Sequence, residues 1–145
     1  MDKIFTPREV DAILPKVEKV FEHIDACRKR AQELATSPIF RETASASAQE
    51  SLSAVQIAES ARLRSQVEFL LQAIQEDIVH VAKMGGVLKD AEAGLVDFPG
   101  FVRGEEVWLC WKRGEGKIQY WHPIYSGYSD RLTLRRTGDR TSTTH

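Results

Sequence analysis

The sequence predicts an α+β fold in which two long antiparallel helices, a helical hairpin, precede a small antiparallel β-hairpin or sheet unit. Three observations lead to this prediction. Apolar residues recur at helical spacing near the start of the chain and again through its middle. Gly85-Gly86 then ends the helical period. Beyond it, apolar residues alternate with polar ones as they do in strands, and such segregated elements are typical of the α+β class.

The first helix is predicted over residues 7–34. Thr6-Pro7-Arg8-Glu9 is a capping box with proline at the first helical position. Such a start is followed by apolar residues that step alternately by three and four, as at the seam of a helix packed along its length. These residues are Val10, Ile13, Val17, Val20, Ile24, Cys27, Ala31 and Leu34.

The second helix is predicted over residues 49–84, after a mobile connection at residues 36–48 that begins with the helix-breaking Thr36-Ser37-Pro38. A start nearer Ala61 remains an alternative, because the first half of this segment is polar. The apolar stripe of the second half consists of Leu63, Val67, Leu70, Ile74, Ile78 and Val81.

The β-unit is predicted over residues 87–133 and completes a single domain over residues 1–133, followed by a disordered tail at residues 134–145. One strand, Gly94–Phe98, is expected to close at a Pro99-Gly100 turn. A polar, arginine-bearing composition predicts the disorder of the tail.

A hairpin forms the centre of this β-unit, with Glu106–Lys112 paired to Lys117–His122 across a four-residue loop. If Lys112 lies opposite Lys117, Trp108 faces Trp121, and Cys110 and His122 lie on opposite faces. Both faces are then apolar, which is unusual for an antiparallel sheet with one wet side. We expect one face to cover the helices and the other to be covered by the Tyr125–Tyr128 segment or by a second subunit.

The composition excludes several classes of partner. The 145 residues carry 20 basic and 21 acidic side chains, a net charge of −1, so the usual electrostatic reason to expect nucleic acid or an anionic membrane is missing. There is no apolar run of the ~20 residues that span a bilayer, and the N-terminus lacks the apolar stretch of a signal peptide. We expect a cytoplasmic protein of bacterial type whose two cysteines, Cys27 and Cys110, are free thiols used in packing.

Self-association is predicted from the length of the second helix. At ~1.5 Å per residue it would be about 50 Å long, whereas a globule of this size has a diameter of roughly 38 Å. An overhanging apolar seam needs a cover. We therefore expect a homo-oligomer, a dimer or higher, and a self-associating interaction or assembly module as the function.

A polar cluster in the β-unit gives a second hypothesis, a small metal- or ligand-binding protein. The candidate ligand-binding residues are Asp90, Asp97, Trp111, His122 and Arg131. Two carboxylates and an imidazole can hold a divalent metal, so Asp97, Glu115 and His122 form a candidate metal site. Glu115 is the weakest member, because the hairpin loop and the strand end lie about 17 Å apart along an extended strand.

A purely structural cluster is the alternative. Asp97 would then cap the Pro99-Gly100 turn, Glu115 would be solvated and His122 would be hydrogen-bonded within the sheet. Arg131 would pair with Asp97 or with Asp90. Whether the protein is an enzyme stays open, since there is no Gly-x-Ser-x-Gly elbow and no phosphate-binding glycine loop.

A smaller candidate lies in the second helix, where Glu76 and His80 are one turn apart beside Asp77. The first helix has no matching acid–histidine pair at that spacing. A solvated charged face is the simpler interpretation.

Several of these motifs resemble the bacterial domain-of-unknown-function family 2203. The resemblance rests on Gly94-Leu95-Val96-Asp97-Phe98-Pro99, Leu109-Cys110-Trp111, Gly114-Glu115, Tyr120-Trp121-His122, and Gly127 with Arg131. The stretch from Phe5-Thr6-Pro7 to Leu14-Pro15 is similar too. The resemblance covers most of the chain and implies the architecture above, but it carries no established activity.

Overall fold

The computed structural model describes residues 3–39 and 52–136. Two helices come first, α1 (Pro7–Ala35) and α2 (Ala54–Lys83). Five strands follow, with a 3₁₀ turn at Tyr128–Asp130 before the last: β1 (Val87–Asp90), β2 (Leu95–Val102), β3 (Glu105–Lys112), β4 (Tyr120–Pro123) and β5 (Leu132–Thr133). The predicted α+β class is confirmed. Contacts divide the chain into two compact units, Met1–Phe21 with Ile78–His145, and Glu22–Asp77.

Both helices begin at reciprocal caps. The Thr6 amide donates to Glu9 Oε1 at 2.9 Å, and the Glu9 amide donates to Thr6 Oγ1 at 3.1 Å, so the predicted capping box is confirmed. Ser53 and Gln56 make the same pair of hydrogen bonds at 2.9 and 3.1 Å. This second box starts α2 at Ala54 and not at the predicted residue 49, and residues 49–51 lie outside the described residues.

In the unit Glu22–Asp77 the two helices run antiparallel. His23 of α1 meets Asp77 near the end of α2, whereas Leu34 shares a groove with Phe69 and Leu70. The predicted α1 seam is buried here from Ile24 to Leu34. The α2 stripe is less covered, since Leu63 is buried but its neighbours in the stripe are only half-buried.

In the other unit, the first half of α1 packs against a five-stranded antiparallel meander with strand order β1-β2-β3-β4-β5. The rings of Phe21 and Trp111 lie 6.1 Å apart, and Phe5 meets Phe98 edge-on at 5.6 Å. Large aromatic side chains contribute most of the apolar area in such a core. We call the face of the sheet that carries Phe98 and Trp111 its inner face, and the other its outer face.

The predicted Pro99-Gly100 turn is wrong, because β2 runs through both residues to Val102. A Cβ on Gly100 would lie 2.6 Å from the Leu109 side chain, so the glycine here allows close approach of β3. The turn lies at Arg103-Gly104, where both residues have positive φ, +55° and +80°. That conformation matches the twist of a two-residue hairpin.

The predicted register between β3 and β4 is also wrong, by one residue. Leu109 pairs with Trp121, and Trp108 pairs with His122 instead of Trp121. The loop is longer than four residues because Ile118 leaves the ladder, its amide donating to Asp11 Oδ1 of α1 at 2.8 Å. A slip of one residue moves every side chain of a strand to the other face.

The structure describes only part of the predicted tail and of the predicted mobile connection. Leu134, at the start of the predicted tail, is buried, and Arg136 forms an ion pair with Asp11. Residues 137–145 of that tail and residues 40–48 of the predicted mobile connection lie outside the described residues. Among the helices in the described ranges, none combines the length and the apolar character needed to cross a membrane.

Candidate metal centre

Three polar side chains meet on the outer face of the sheet. Asp97 of β2 pairs with Cys110 of β3, and His122 of β4 pairs with Trp108, two residues from Cys110 on the same face. Their carboxylate, thiol and imidazole ligand atoms all lie within 4.8 Å of one another, and all three residues are buried. We call Asp97, Cys110 and His122 the β-unit triad.

Hydrogen bonds fix the orientation of the His122 ring. Nδ1 lies 2.9 Å from the carbonyl oxygen of Pro123, and Nε2 lies 2.9 Å from Asp97 Oδ2. A carbonyl oxygen only accepts, so Nδ1 carries a proton and donates it. The nitrogen that faces the triad is therefore Nε2, the usual arrangement of a metal-ligating histidine.

The Cys110 thiol is strongly held in its protonated form. Burial, and after it the negative charge of Asp97, raises the pKa of Cys110 to about 12, while Arg131 acts in the opposite direction. A thiol with so high a pKa is a poor nucleophile at neutral pH. A bound transition metal removes such a proton outright, because thiolate is the coordinating form.

The separation between the His122 and Asp97 ligand atoms is close to that of a zinc site, and the Cys110 sulfur lies within 4.8 Å of both. Tetrahedral bonds of about 2.0–2.3 Å put neighbouring ligand atoms roughly 3.3–3.7 Å apart. The Nε2 to Oδ2 separation of 2.9 Å must therefore widen by only about 0.4 Å to admit an ion. One sulfur, one nitrogen and one oxygen make three of the four ligands that zinc takes.

Two predicted site residues pair with each other beside the triad. Arg131 binds Glu115 through two hydrogen bonds, of 3.1 and 2.8 Å. Glu115 Oε1 also accepts from the Lys112 amide at 2.8 Å. Glu115 is thus tied to Arg131 and to the end of β3, and the third ligand atom of the cluster comes from Cys110 instead. The alternative pairings of Arg131 with Asp97 or Asp90 are replaced by this one.

The remaining predicted site residues lie elsewhere. Asp90 caps the turn between β1 and β2, its Oδ1 accepting from the amides of Glu92 and Ala93 at 3.0 and 2.9 Å. Trp111 is buried on the inner face, where it donates to the Glu115 carbonyl oxygen at 2.7 Å. Asp97 lies within β2 and caps no turn.

The other cysteine also lies beside a histidine and an aspartate. Asp77 Oδ2 lies 2.5 Å from His23 Nδ1, and Cys27 Sγ lies 3.7 and 4.0 Å from the two nitrogens of that ring. Nearly equal distances place the sulfur to the side of the ring and not in line with either nitrogen. Burial and the charge of Asp77 raise the pKa of Cys27. This group therefore lacks the alignment of a metal site, and Glu76 and His80 are exposed.

The residue that the sequence argument missed is Cys110. The predicted register puts Cys110 and His122 on opposite faces, which favours a packing role for the thiol. Only the partner of Cys110 in the β2 ladder, Asp97, brings the thiol and the carboxylate together. No local signal in the sequence points to Cys110, because its place in the triad depends on the pairing of β3 with both β2 and β4.

The comparisons with known proteins agree with the resemblance seen in the motifs. No curated protein and no solved structure matches the chain. The model of the family described as "Uncharacterized conserved protein (DUF2203)" matches residues 3–134. The match covers both helices and the whole sheet, and the chain therefore belongs to this family.

Proposed function

We propose that the protein is a small metal-binding protein whose sheet holds a divalent transition metal between Asp97, Cys110 and His122. The observation that carries the proposal is the meeting of three chemically different ligand atoms within 4.8 Å of one another. Three separate strands deliver them, so a rigid sheet positions the site. Sites built on regular elements hold their ligands more closely than sites on loops.

The types of ligand favour zinc or a similar borderline metal. Calcium and magnesium prefer oxygen ligands, and iron–sulfur clusters need several cysteines. A thiolate with an imidazole and a carboxylate suits Zn²⁺ and, in its place, Co²⁺. The Nδ1–H bond from His122 to the Pro123 carbonyl oxygen supplies the outer hydrogen bond that such a ligand needs to keep its orientation.

Burial favours retention of the ion over hydrolytic chemistry. The side chains of His122 and Asp97 are only 2% and 3% exposed, whereas a hydrolytic zinc site keeps one position open to water and substrate. An ion held between β2, β3 and β4 would crosslink the sheet. Since the ligands are dispersed in the unfolded chain, binding free energy would add directly to folding stability.

The test is metal content after reconstitution. The full chain is stripped of metal with a chelator, incubated with Zn²⁺ and desalted, and its zinc content is measured by elemental analysis. In a second measurement, the melting temperature of the metal-free chain is compared with its melting temperature in the presence of Zn²⁺, Mn²⁺ or Ni²⁺. We expect about one equivalent of zinc. Cys110→Ser and His122→Ala should lose it, and the matched control Cys27→Ser should keep it. Loss of zinc by the control, or no retained zinc in the parent chain, contradicts the proposal.

A second candidate function is self-association through α2. In the unit Glu22–Asp77, apolar side chains of this helix stay exposed, with Val55 78% and Phe69 73% accessible. Phe69 also borders a groove of about 390 Å³ with Leu34 and Leu70. The groove is also lined by Arg30 and Arg62, whose guanidinium groups can stack on an aromatic ring. A protruding ring beside such a groove is self-complementary, because two copies related by a two-fold axis can each insert the ring into the other's groove.

Light scattering after size-exclusion chromatography tests this candidate. We expect a dimer or higher oligomer at micromolar concentration, and a monomer for Phe69→Ala, which removes the ring that the groove of the other copy would accept. His80→Ala, an exposed substitution on the same helix, should leave the mass unchanged. A monomeric parent chain rules this candidate out and leaves the metal site untouched.

A further inference from the structure

A short segment, residues 124–131, closes over the outer face of the sheet, and we call it the strap. The chain leaves β4 at Pro123, whose carbonyl oxygen accepts from the Ser126 amide at 3.1 Å. It returns in β5, where Leu132 pairs with Trp121. Both ends of the strap are therefore held at β4, while its middle belongs to no strand.

Arg131 is the strap residue that reaches the triad. Its guanidinium group lies 3.9 Å from the centre of the Tyr120 ring and 4.4 Å from that of Tyr128. It also lies close enough to Cys110 for each group to shift the pKa of the other, and Cys110 pairs with Tyr120 in the ladder. The strap thus covers the thiol end of the triad with a stacked arginine.

One ion pair holds this arginine in place. Arg131 and Glu115 form the two hydrogen bonds described above, and their side chains are only 12% and 20% exposed. A bidentate pair of this kind is among the stronger polar contacts. Because Glu115 belongs to the loop after β3, the pair ties the strap to the opposite side of the hairpin.

Apart from Arg131 and the Tyr128 ring, over which Lys112 of β3 also lies at 5.5 Å, the strap is weakly held. Tyr125 is 90% exposed and Ile124 is 52% exposed, and none of the residues in the 3₁₀ turn is buried. Segments with few buried contacts open locally at a small fraction of the cost of global unfolding. The triad, by contrast, is buried.

We propose that the strap is a lid over the β-unit triad and that the Arg131–Glu115 ion pair is its latch. Opening of the lid exposes the Cys110 thiol and gives an ion its path to the ligands. The movement of the ion rests on the proposed function, whereas the lid itself does not.

Thiol reactivity measures the lid without any metal. In a chelator-treated Cys27→Ser chain, Cys110 is the only cysteine, and its reaction with excess 5,5′-dithiobis(2-nitrobenzoate) reports how often it is exposed. Glu115→Gln keeps the acceptor for the Lys112 amide but removes the charge of the latch. We expect the reaction to become about tenfold faster, and Arg131→Met to have an effect of the same size.

The matched control is Asp11→Asn, which removes the charge of another arginine–carboxylate pair of the same unit, with Arg136, and keeps an amide oxygen to accept from the Ile118 amide. It should leave the reaction of Cys110 within about twofold of the parent. Equal rates for Glu115→Gln, Arg131→Met and the parent overturn the lid. Equal acceleration by Asp11→Asn also overturns it, because the thiol would then be exposed by general loosening of the unit.

Zinc transfer to excess chelator separates the lid from the proposed function. Release of zinc from the loaded chain should be accelerated by Glu115→Gln to the same extent as the thiol reaction. A chain that retains no zinc contradicts the proposed metal site alone, and the thiol rates then still decide whether residues 124–131 act as a lid.

Discussion

Replacement of His122 by phenylalanine should destabilise the metal-free protein severely, because it leaves the Asp97 carboxylate buried without its partner. The two side chains are 2% and 3% exposed, and their polar atoms lie 2.9 Å apart. Removal of one member of such a buried pair costs about 3–5 kcal/mol. The carbonyl oxygen of Pro123 loses its donor, which adds about 1 kcal/mol. Loss of an ordinary exposed hydrogen bond would lower the free energy of unfolding by far less.

A double-mutant cycle isolates the interaction. Asp97→Val removes the carboxylate, and the chain with both replacements has apolar groups on both sides. That double variant should be only slightly less stable than either single variant, so the coupling free energy should be about 2–4 kcal/mol. Urea unfolding at pH 7 with chelator present, followed by tryptophan fluorescence and circular dichroism, supplies the four free energies. Additivity within about 0.5 kcal/mol would refute the buried pair.

Three further predictions concern the sheet, the first helix and pH. Gly100→Ala should lower the free energy of unfolding by about 1–3 kcal/mol, because the added Cβ would lie 2.6 Å from a β3 side chain. Gly127→Ala is the control and should cost little, because the space around Gly127 is open. Urea unfolding of the two variants and the parent measures both effects. Thr6→Ala should lower the stability by about 1 kcal/mol through loss of the cap, and a rescue by Thr6→Ser is the check on that reasoning. Since the pKa of Cys110 rises from 9.0 to about 12 on folding, the folded protein keeps a proton that the unfolded chain releases. The contribution of Cys110 to the free energy of unfolding is therefore fully present below pH 9 and falls by about 1.4 kcal/mol per pH unit between pH 9 and 12. A Cys27→Ser chain should show this fall in stability, and a chain that also carries Cys110→Ser should not. Equal slopes of stability against pH for the two chains would contradict this prediction.

Local signals explain why the helices could be predicted. The capping box at Thr6 and the stop at Gly85 each involve residues within one turn of each other, and both features are found in the structure. The second box, at Ser53 and Gln56, is equally local and was readable in the same way. The α2 start was predicted too early because the polar residues before Ser53 fit a helix as well as a loop.

The strand register could not be predicted in the same way, because a long-range contact decides it. The amide of Ile118 binds Asp11 of α1, more than a hundred residues away, and this lengthens the loop by taking Ile118 out of the ladder. Asp97 and His122, two of the candidate site residues, lie side by side, with Nε2 and Oδ2 2.9 Å apart. The predicted register puts Cys110 on the wrong face, and the side chain of Glu115, a predicted ligand, is instead paired with Arg131.

X-ray absorption at the zinc edge tests the central claim most directly. The Cys27→Ser chain, loaded with one equivalent of zinc, should show a single sulfur neighbour at about 2.3 Å and nitrogen or oxygen neighbours at about 2.0–2.1 Å, including the multiple-scattering pattern of one imidazole. A shell made only of oxygen and nitrogen would contradict the account, since Cys110 would then take no part in holding the metal.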